Sequence, residues 1–400
     1  MSHRIAWILV LILVALGATM FVVLRSPQPV AGTGKPPVVP EEVQDVPDEV
    51  PAEVPGEVVV AKSNPKPPGE PTFVGRQACK ECHAENFDLH AVHGHASTFA
   101  RASETDFPKD FAGKSHDAGE PYGEYKYHSN DKGELFTTLE HKFGKEPFPL
   151  QYAVGSGHAA VTFLTLVPGP NKTTSGVEHR VTWYSDGQLD LTPGHAKKSP
   201  HEGFDFFGDT LHGAPLDKCV YCHTTTAKIV DQEIVDLVSN VNCEKCHGPA
   251  SEHVKQARQS KTPPPFSVGR EDWDAEAELQ LCGDCHRLPK SITTKELREY
   301  PDLLARFQPI GLMRSKCYLE SEGQLKCTTC HDPHTTIKVT SNAQQVSNCV
   351  SCHLEGSVDH VICPVSPSQG CIECHMRAVK QDVGSGFTFH DHWIRVFKDD

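Results

Sequence analysis

The chain has 400 residues, of which 16 are Cys, 24 His, 31 Pro and 30 Gly, and only 38% are apolar. That length leaves room for one large domain or two or three smaller ones, so disulfide stapling is not needed to hold a core. A formal charge of -14 excludes a phosphate backbone as the main partner, and no nucleic-acid role is expected.

At the N-terminus, residues 5–24 form a run of 20 without a charge, flanked by Arg4 and Arg25. The run matches the hydrocarbon thickness of a bilayer and predicts a membrane anchor over residues 1–25. A cleaved signal peptide is the competing reading, although the apolar stretch is long for one and a cut after Ala18 would put Leu16 where a small residue is expected. Residues 26–72 then hold 12 prolines and a near-repeat beginning at Val46, Val50 and Val54, each followed by Pro and, two residues later, Glu. Proline removes backbone donors and the acids repel one another, so this stretch reads as an extended linker. The part from residue 73 onward still carries -11.

Fourteen of the cysteines fall into seven copies of Cys-x-x-Cys-His: Cys79, Cys82 and His83; Cys219, Cys222 and His223; Cys243, Cys246 and His247; Cys282, Cys285 and His286; Cys327, Cys330 and His331; Cys349, Cys352 and His353; Cys371, Cys374 and His375. This string is the attachment signal for c-type haem. Two thiols two residues apart add across the two vinyl groups of one porphyrin, and the adjacent His reaches the iron as its proximal ligand. A zinc ribbon competes, because the 20-residue gap between Cys222 and Cys243 suits one, but a ribbon does not require His after every pair. A thioredoxin-like redox motif would occur once, not seven times. The expectation is seven covalently attached haem c groups. Attachment takes place on the exported face, which orients the expected anchor: a single pass through the inner (cytoplasmic) membrane, with the haem domain on the periplasmic or exported side.

The motifs divide the chain further into a first haem segment over residues 73–118, a β-subdomain over 119–200 and a six-haem domain over 201–400. Between His83 and Cys219 run 135 residues with no motif. Strings there such as Glu124-Tyr-Lys-Tyr, Leu135-Phe-Thr-Thr, Ala160-Val-Thr-Phe and Arg180-Val-Thr-Trp are rich in β-branched and aromatic residues, with turn signals at Asn130-Asp-Lys-Gly and Ser185-Asp-Gly. From residue 219 to 375 six motifs share 157 residues, with helical stretches such as 274–281 leading into them. The predicted fold is therefore mainly α, low in regular structure around stacked haems, with that small β-subdomain inserted.

Sixteen further histidines follow the expected anchor and compete for the distal iron positions, whereas only Met313 and Met376 offer thioethers there. His95, His253, His334 and His392 are the preferred distal candidates; His90, His93, His158, His195, His201, His212, His360 and His390 are weaker ones. Surface or core placement is the competing reading for each. The two cysteines outside the motifs, Cys317 and Cys363, read as a disulfide in an oxidising compartment, or as buried thiols or haem-linked groups.

With these residues in view, the chain resembles the multihaem c-type cytochromes of the cytochrome c-554 and hydroxylamine oxidoreductase group, especially membrane-anchored ones. The resemblance spans roughly residues 73–398, and rests on Val74-Gly-Arg-Gln-Ala-Cys79, Gly155-Ser-Gly-His158, Leu191-Thr-Pro-Gly, the Cys327 motif with Asp332-Pro-His334, and Asp391-His392. It implies a periplasmic haem scaffold with paired haems and bis-His irons. No Cys-x-x-Cys-Lys occurs and no Tyr follows Tyr318, so the lysine-ligated and tyrosine-crosslinked catalytic haems of enzymatic relatives have no counterpart. The leading reading is electron relay by Fe(II)/Fe(III) cycling between a membrane donor, a quinol-linked one among the candidates, and a redox partner protein. The acidic domain favours a positively charged partner surface. The alternative is a reductase or oxidase of a small nitrogen or sulfur compound at one haem with an open distal site.

Overall fold

The computed structural model describes residues 70–397, apart from 140–145, 196–198, 201–202, 267, 269–272, 300–301, 354–361 and 381–387. Two units divide the chain, Met1–Lys66 and Pro67–Asp400, and every described residue belongs to the second. In Glu124–Ser129 and Leu135–Leu139 alternate side chains turn inward, so Tyr125, Tyr127, Leu135, Thr137 and Leu139 are buried while their neighbours face outward. These strands pair antiparallel, Tyr127 opposite Thr137, around a turn in which Asn130 Oδ1 accepts from the N–H groups of Lys132 and Glu134. Ser115–Asp117 and Phe148–Leu150 complete a four-stranded sheet.

A seven-stranded antiparallel sheet adjoins it. In spatial order its main path runs Phe99–Arg101, Tyr152–Val154, Ala160–Pro168, Thr174–His179 and Gly208–His212; Val181–Tyr184 also pairs with Ala160–Pro168 and carries Leu189–Leu191 on its other edge. Ala160–Pro168 is the central strand, and residues 163–167 are all buried. Phe111 meets both Tyr127 and Phe163 edge-on at 5.1 Å, joining the sheets through an aromatic core.

These strands leave the expectation of a mainly α fold unconfirmed, since substantial sheet stands beside the helices. Fifteen strands are present among the described residues, reaching well beyond 119–200 to the hairpin of Thr226–Val230 with Glu233–Val238 and that of Ala378–Lys380 with Thr388–His390. The physical reason lies in the long motif-free stretch. It has to bury its own apolar surface, and β-branched and aromatic residues do so on a pleated sheet.

From Ala214 onward most elements are short helices: Ala214–His223, Cys243–His247, Ser251–Arg258, Ala275–His286, Cys327–Cys330, Asn342–Val350 and Cys371–His375 among them. Beyond Ile234 only Val241, Ala250, Ala275, Leu279, Leu288, Ile310 and Val346 are buried apolar residues among those described. The expected placement as a single-pass protein of the inner membrane is corrected. No helix among the described residues is long and apolar enough to cross a membrane. The longest, Ala275–His286, has 12 residues, and at 1.5 Å per residue it spans about 18 Å against a hydrocarbon core of about 30 Å. The expected anchor over residues 5–24 lies outside the described residues.

Candidate iron-ligand pairs

The motifs adopt one local geometry. A helical turn brings residues i, i+3 and i+4 to one side, so the two thiols and the histidine of each string share a face. Backbone N–H groups of His83, His331 and His353 donate to the carbonyls of Cys79, Cys327 and Cys349 at 2.9, 3.0 and 3.0 Å, fixing that turn. In Ala275–His286 the helix leading into the motif is started by Asp274, whose side chain accepts from Ala277 N–H at 2.8 Å. No disulfide joins any of the sixteen cysteines. The Cys317–Cys363 disulfide is thus not formed: Cys317 lies near Cys352 and Cys330, while Cys363 accepts from Ser366 N–H at 3.4 Å.

Histidine rings from different segments meet at a narrow range of distances. His83 faces His253 with ring centres 6.4 Å apart, His286 faces His95 at 6.1 Å, His247 faces His334 at 6.2 Å, and His331 faces His392 at 6.1 Å. A metal–nitrogen distance of about 2 Å, plus about 1.1 Å from nitrogen to ring centre, puts two trans imidazoles on one ion about 6.3 Å apart. Each pair joins a motif histidine to one of the four preferred distal candidates. The residues present therefore fit a bis-His iron at four motifs.

The second ring nitrogens support this orientation. Nδ1 of His253, His286 and His392 donates to Pro264 O at 3.3 Å, Gln308 Oε1 at 3.1 Å and His390 O at 3.0 Å, while Nδ1 of His334 lies 3.2 Å from Asp332 Oδ1. An imidazole whose Nδ1 is engaged in this way has Nε2 left for a metal. Burial holds His95 down to about 3 and His392 to about 4, and it also lowers His247, His286 and His331. These rings are neutral at pH 7, the form that ligates.

Other histidines are placed differently. Nδ1 of His375 donates to Arg395 O at 3.1 Å, and His223 is half-buried with a buried, unpartnered Nδ1; among the described residues neither faces a second imidazole. His353 precedes residues 354–361, outside the described residues along with His201 and His360. His195 is committed to carboxylates, with Glu178 Oε2 at 3.3 Å and Asp209 Oδ2 at 3.6 Å. His212 bonds Ser175 Oγ at 2.6 Å and His390 bonds Met376 O at 2.9 Å. His90 stacks on His93, which lies 4.5 Å from His95 and accepts from its N–H, and Lys338 reaches the carbonyl of His158. Met313 and Met376 sit at helix C-termini.

Several residues that tie the motifs together carry no motif signal. The Glu244 carboxylate is buried and accepts from Val74, Gly75 and Ala250 N–H at 2.9, 2.8 and 3.0 Å, joining the third motif to the approach of the first. Tyr221 OH donates to Asp284 Oδ2 at 2.6 Å and Lys245 Nζ to Tyr221 O at 2.7 Å, linking the second motif to the fourth and third. Buried Glu278 accepts from Thr328 N–H at 2.7 Å and Thr328 Oγ1 at 3.0 Å, linking fourth and fifth. Thiols of different motifs also touch: Cys79 with Cys243, Cys222 with Cys285, Cys282 with Cys327, and Cys349 with Cys371. Burial pushes the Cys219 thiol up to about 12.

No protein-family model matches the chain, and no curated protein matches it. Among solved structures, the crystal structure of the outer cell wall cytochrome OcwA is similar over 81% of this chain and 79% of its own, with 14% identity and a TM-score of 0.43. The functional reading below stands on the motifs and the ring pairs, not on that likeness.

Proposed function

We propose that the protein is a multihaem c-type cytochrome that relays electrons, holding seven haem c groups at its seven motifs. The observation that carries this reading is the recurrence of 6.1–6.4 Å between a motif histidine and a histidine from another segment, four times in one chain. The porphyrin iron, when bound, supplies a one-electron Fe(III)/Fe(II) couple. The chain would supply the rest: the paired thiols of each motif would fix the group covalently, the motif histidines and the imidazoles facing them would hold the iron, and contacts between motifs would keep neighbouring sites adjacent. Zinc is a poorer fit, because two imidazoles trans across one ion do not make the tetrahedron of a structural zinc site.

The test is a pyridine haemochrome count with metal analysis on purified protein. Seven haems per chain are expected, with low-spin ferric signals in electron paramagnetic resonance from at least four of them. A count well below seven, or stoichiometric zinc, overturns the proposal. A second reading, reduction or oxidation of a small nitrogen or sulfur compound, draws on His223, half-buried and without an opposing imidazole among the described residues. A high-spin ferric signal that shifts on adding cyanide would favour it.

A further inference from the structure

Near the C-terminus, three guanidinium groups are interleaved with two aromatic rings. Arg314 lies 3.5 Å from the Trp393 ring centre and Arg395 3.7 Å from the same ring; Arg395 is also 4.3 Å, and Arg377 4.5 Å, from the Phe397 ring. The stack is bonded directly to the last motif, because Arg395 O accepts from His375 Nδ1 at 3.1 Å and Arg395 N–H donates to His375 O at 3.3 Å. It also adjoins the fifth motif, since Trp393 follows His392, the ring facing His331.

Two features separate this stack from an ordinary structural cluster. Arg314 and Arg377 are exposed, and among the described residues neither has a carboxylate within ion-pair reach; Asp391 is taken by Arg395 at 3.0 Å. Held by ring faces, these cations keep a fixed position with no ion-pair partner among the described residues. The last motif lies beside the sixth: its Cys371 thiol neighbours that of Cys349, its Glu373 carboxylate accepts from Asn342 at the start of the helix that carries Cys349, and Cys374 is exposed. The exposed first motif, at the other side of the motif order, has mixed charge instead: Lys80 pairs with Asp88 and Arg258 with Glu81.

Resting on the reading of these motifs as haem sites, we propose that the Arg314–Trp393–Arg395–Phe397–Arg377 stack is the docking surface for an acidic redox protein, which exchanges electrons at the last motif. The sign is opposite to what the chain's overall charge of -14 suggests. A local cationic patch on an acidic protein both steers an acidic partner and fixes which motif it meets.

The test uses the full haem-loaded protein, reduced, with ferricyanide as an anionic probe in stopped flow. Each ferricyanide accepts one electron from a ferrous site and leaves as ferrocyanide, the site returning to ferric. The fast phase should slow as salt rises, and polyglutamate should slow it further by occupying the patch. In the double variant Arg314→Glu with Arg377→Glu the low-salt rate should fall roughly three- to tenfold and the polyglutamate effect should vanish. Arg314→Lys with Arg377→Lys should keep most of both, and haem count should stay at the wild-type value in both variants. An unchanged rate and unchanged polyglutamate effect in the charge-reversed protein overturns the docking surface. So does a change in haem potentials with no change in salt dependence, which would assign the arginines to the haem propionates instead. Failure of the haem reading shows separately, in the haemochrome count of the wild type.

Discussion

His253 belongs to the segment after the third motif yet faces the histidine of the first, and His334 follows the fifth yet faces that of the third. Each such residue contributes one nitrogen at a distance set by another part of the chain, so its removal should be felt at one site only. His253→Ala is expected to keep seven haems per chain while converting one of them from low to high spin. Resonance Raman spin-state bands and carbon monoxide binding to the reduced protein would measure this; a wholly low-spin variant would remove His253 from the ligand set. The candidates themselves could be picked out from sequence because histidines just after a motif, or in Asp-His strings, stand out in so polar a chain. Which motif each one faces could not, since that depends on loops that fold back over long separations. Glu244 and Glu278 were missed for a related reason: within or beside a motif they look like solvent-exposed acids, and only the backbone groups brought to them reveal the role.

Among the elements, the site at His331 depends on how the extended segment after Thr388–His390 passes the helix Gln308–Leu312. Gly311 is buried there, and a Cβ at this position would collide with the backbone N of Trp393 and the carbonyl carbon of His392. Ser315 fastens the same crossing, with Oγ donating to His392 O at 2.9 Å and accepting from Ile394 N–H at 2.8 Å. Gly311→Ala should therefore push that segment outward and draw His392 away from His331, at a stability cost of roughly 1–3 kcal/mol. Loss of one low-spin signal together with a lowered unfolding midpoint is the expected result, and unchanged spectra would show that the segment can shift without moving the ring. The strands, by contrast, were largely readable beforehand: Tyr125 and Tyr127 alternate with Lys and His as a half-buried strand requires, and Asn130-Asp-Lys-Gly marks its turn. The extent of the sheets was not, because three-residue strands such as Phe99–Arg101 and Ser115–Asp117 exist only through their partners.

Over the whole molecule the two halves are stabilised by different means. The β region buries its own side chains, whereas the motif-bearing part from Val241 onward buries few, so on the proposed reading attached porphyrin would provide much of its interior. Chain made without haem attachment should then retain a folded β core and lose the rest. Limited proteolysis of such apoprotein is expected to leave a resistant fragment covering roughly residues 99–238, with the C-terminal part digested; equal protection throughout would mean that protein contacts alone hold the motif region.

The proposed attachment chemistry is readable in the sequence alone, since two thiols and a histidine at fixed spacing are local and act within one helical turn. The sequence by itself determined the β strands of the motif-free stretch for the same local reason, alternation on a pleated backbone. Tertiary structure alone decided which imidazole faces which motif, which motifs touch, and that arginines separated by as many as 81 positions stack on shared aromatic rings beside the last one. Those are relations between distant segments, fixed by packing and by buried carboxylates such as Glu244, and no spacing along the chain encodes them.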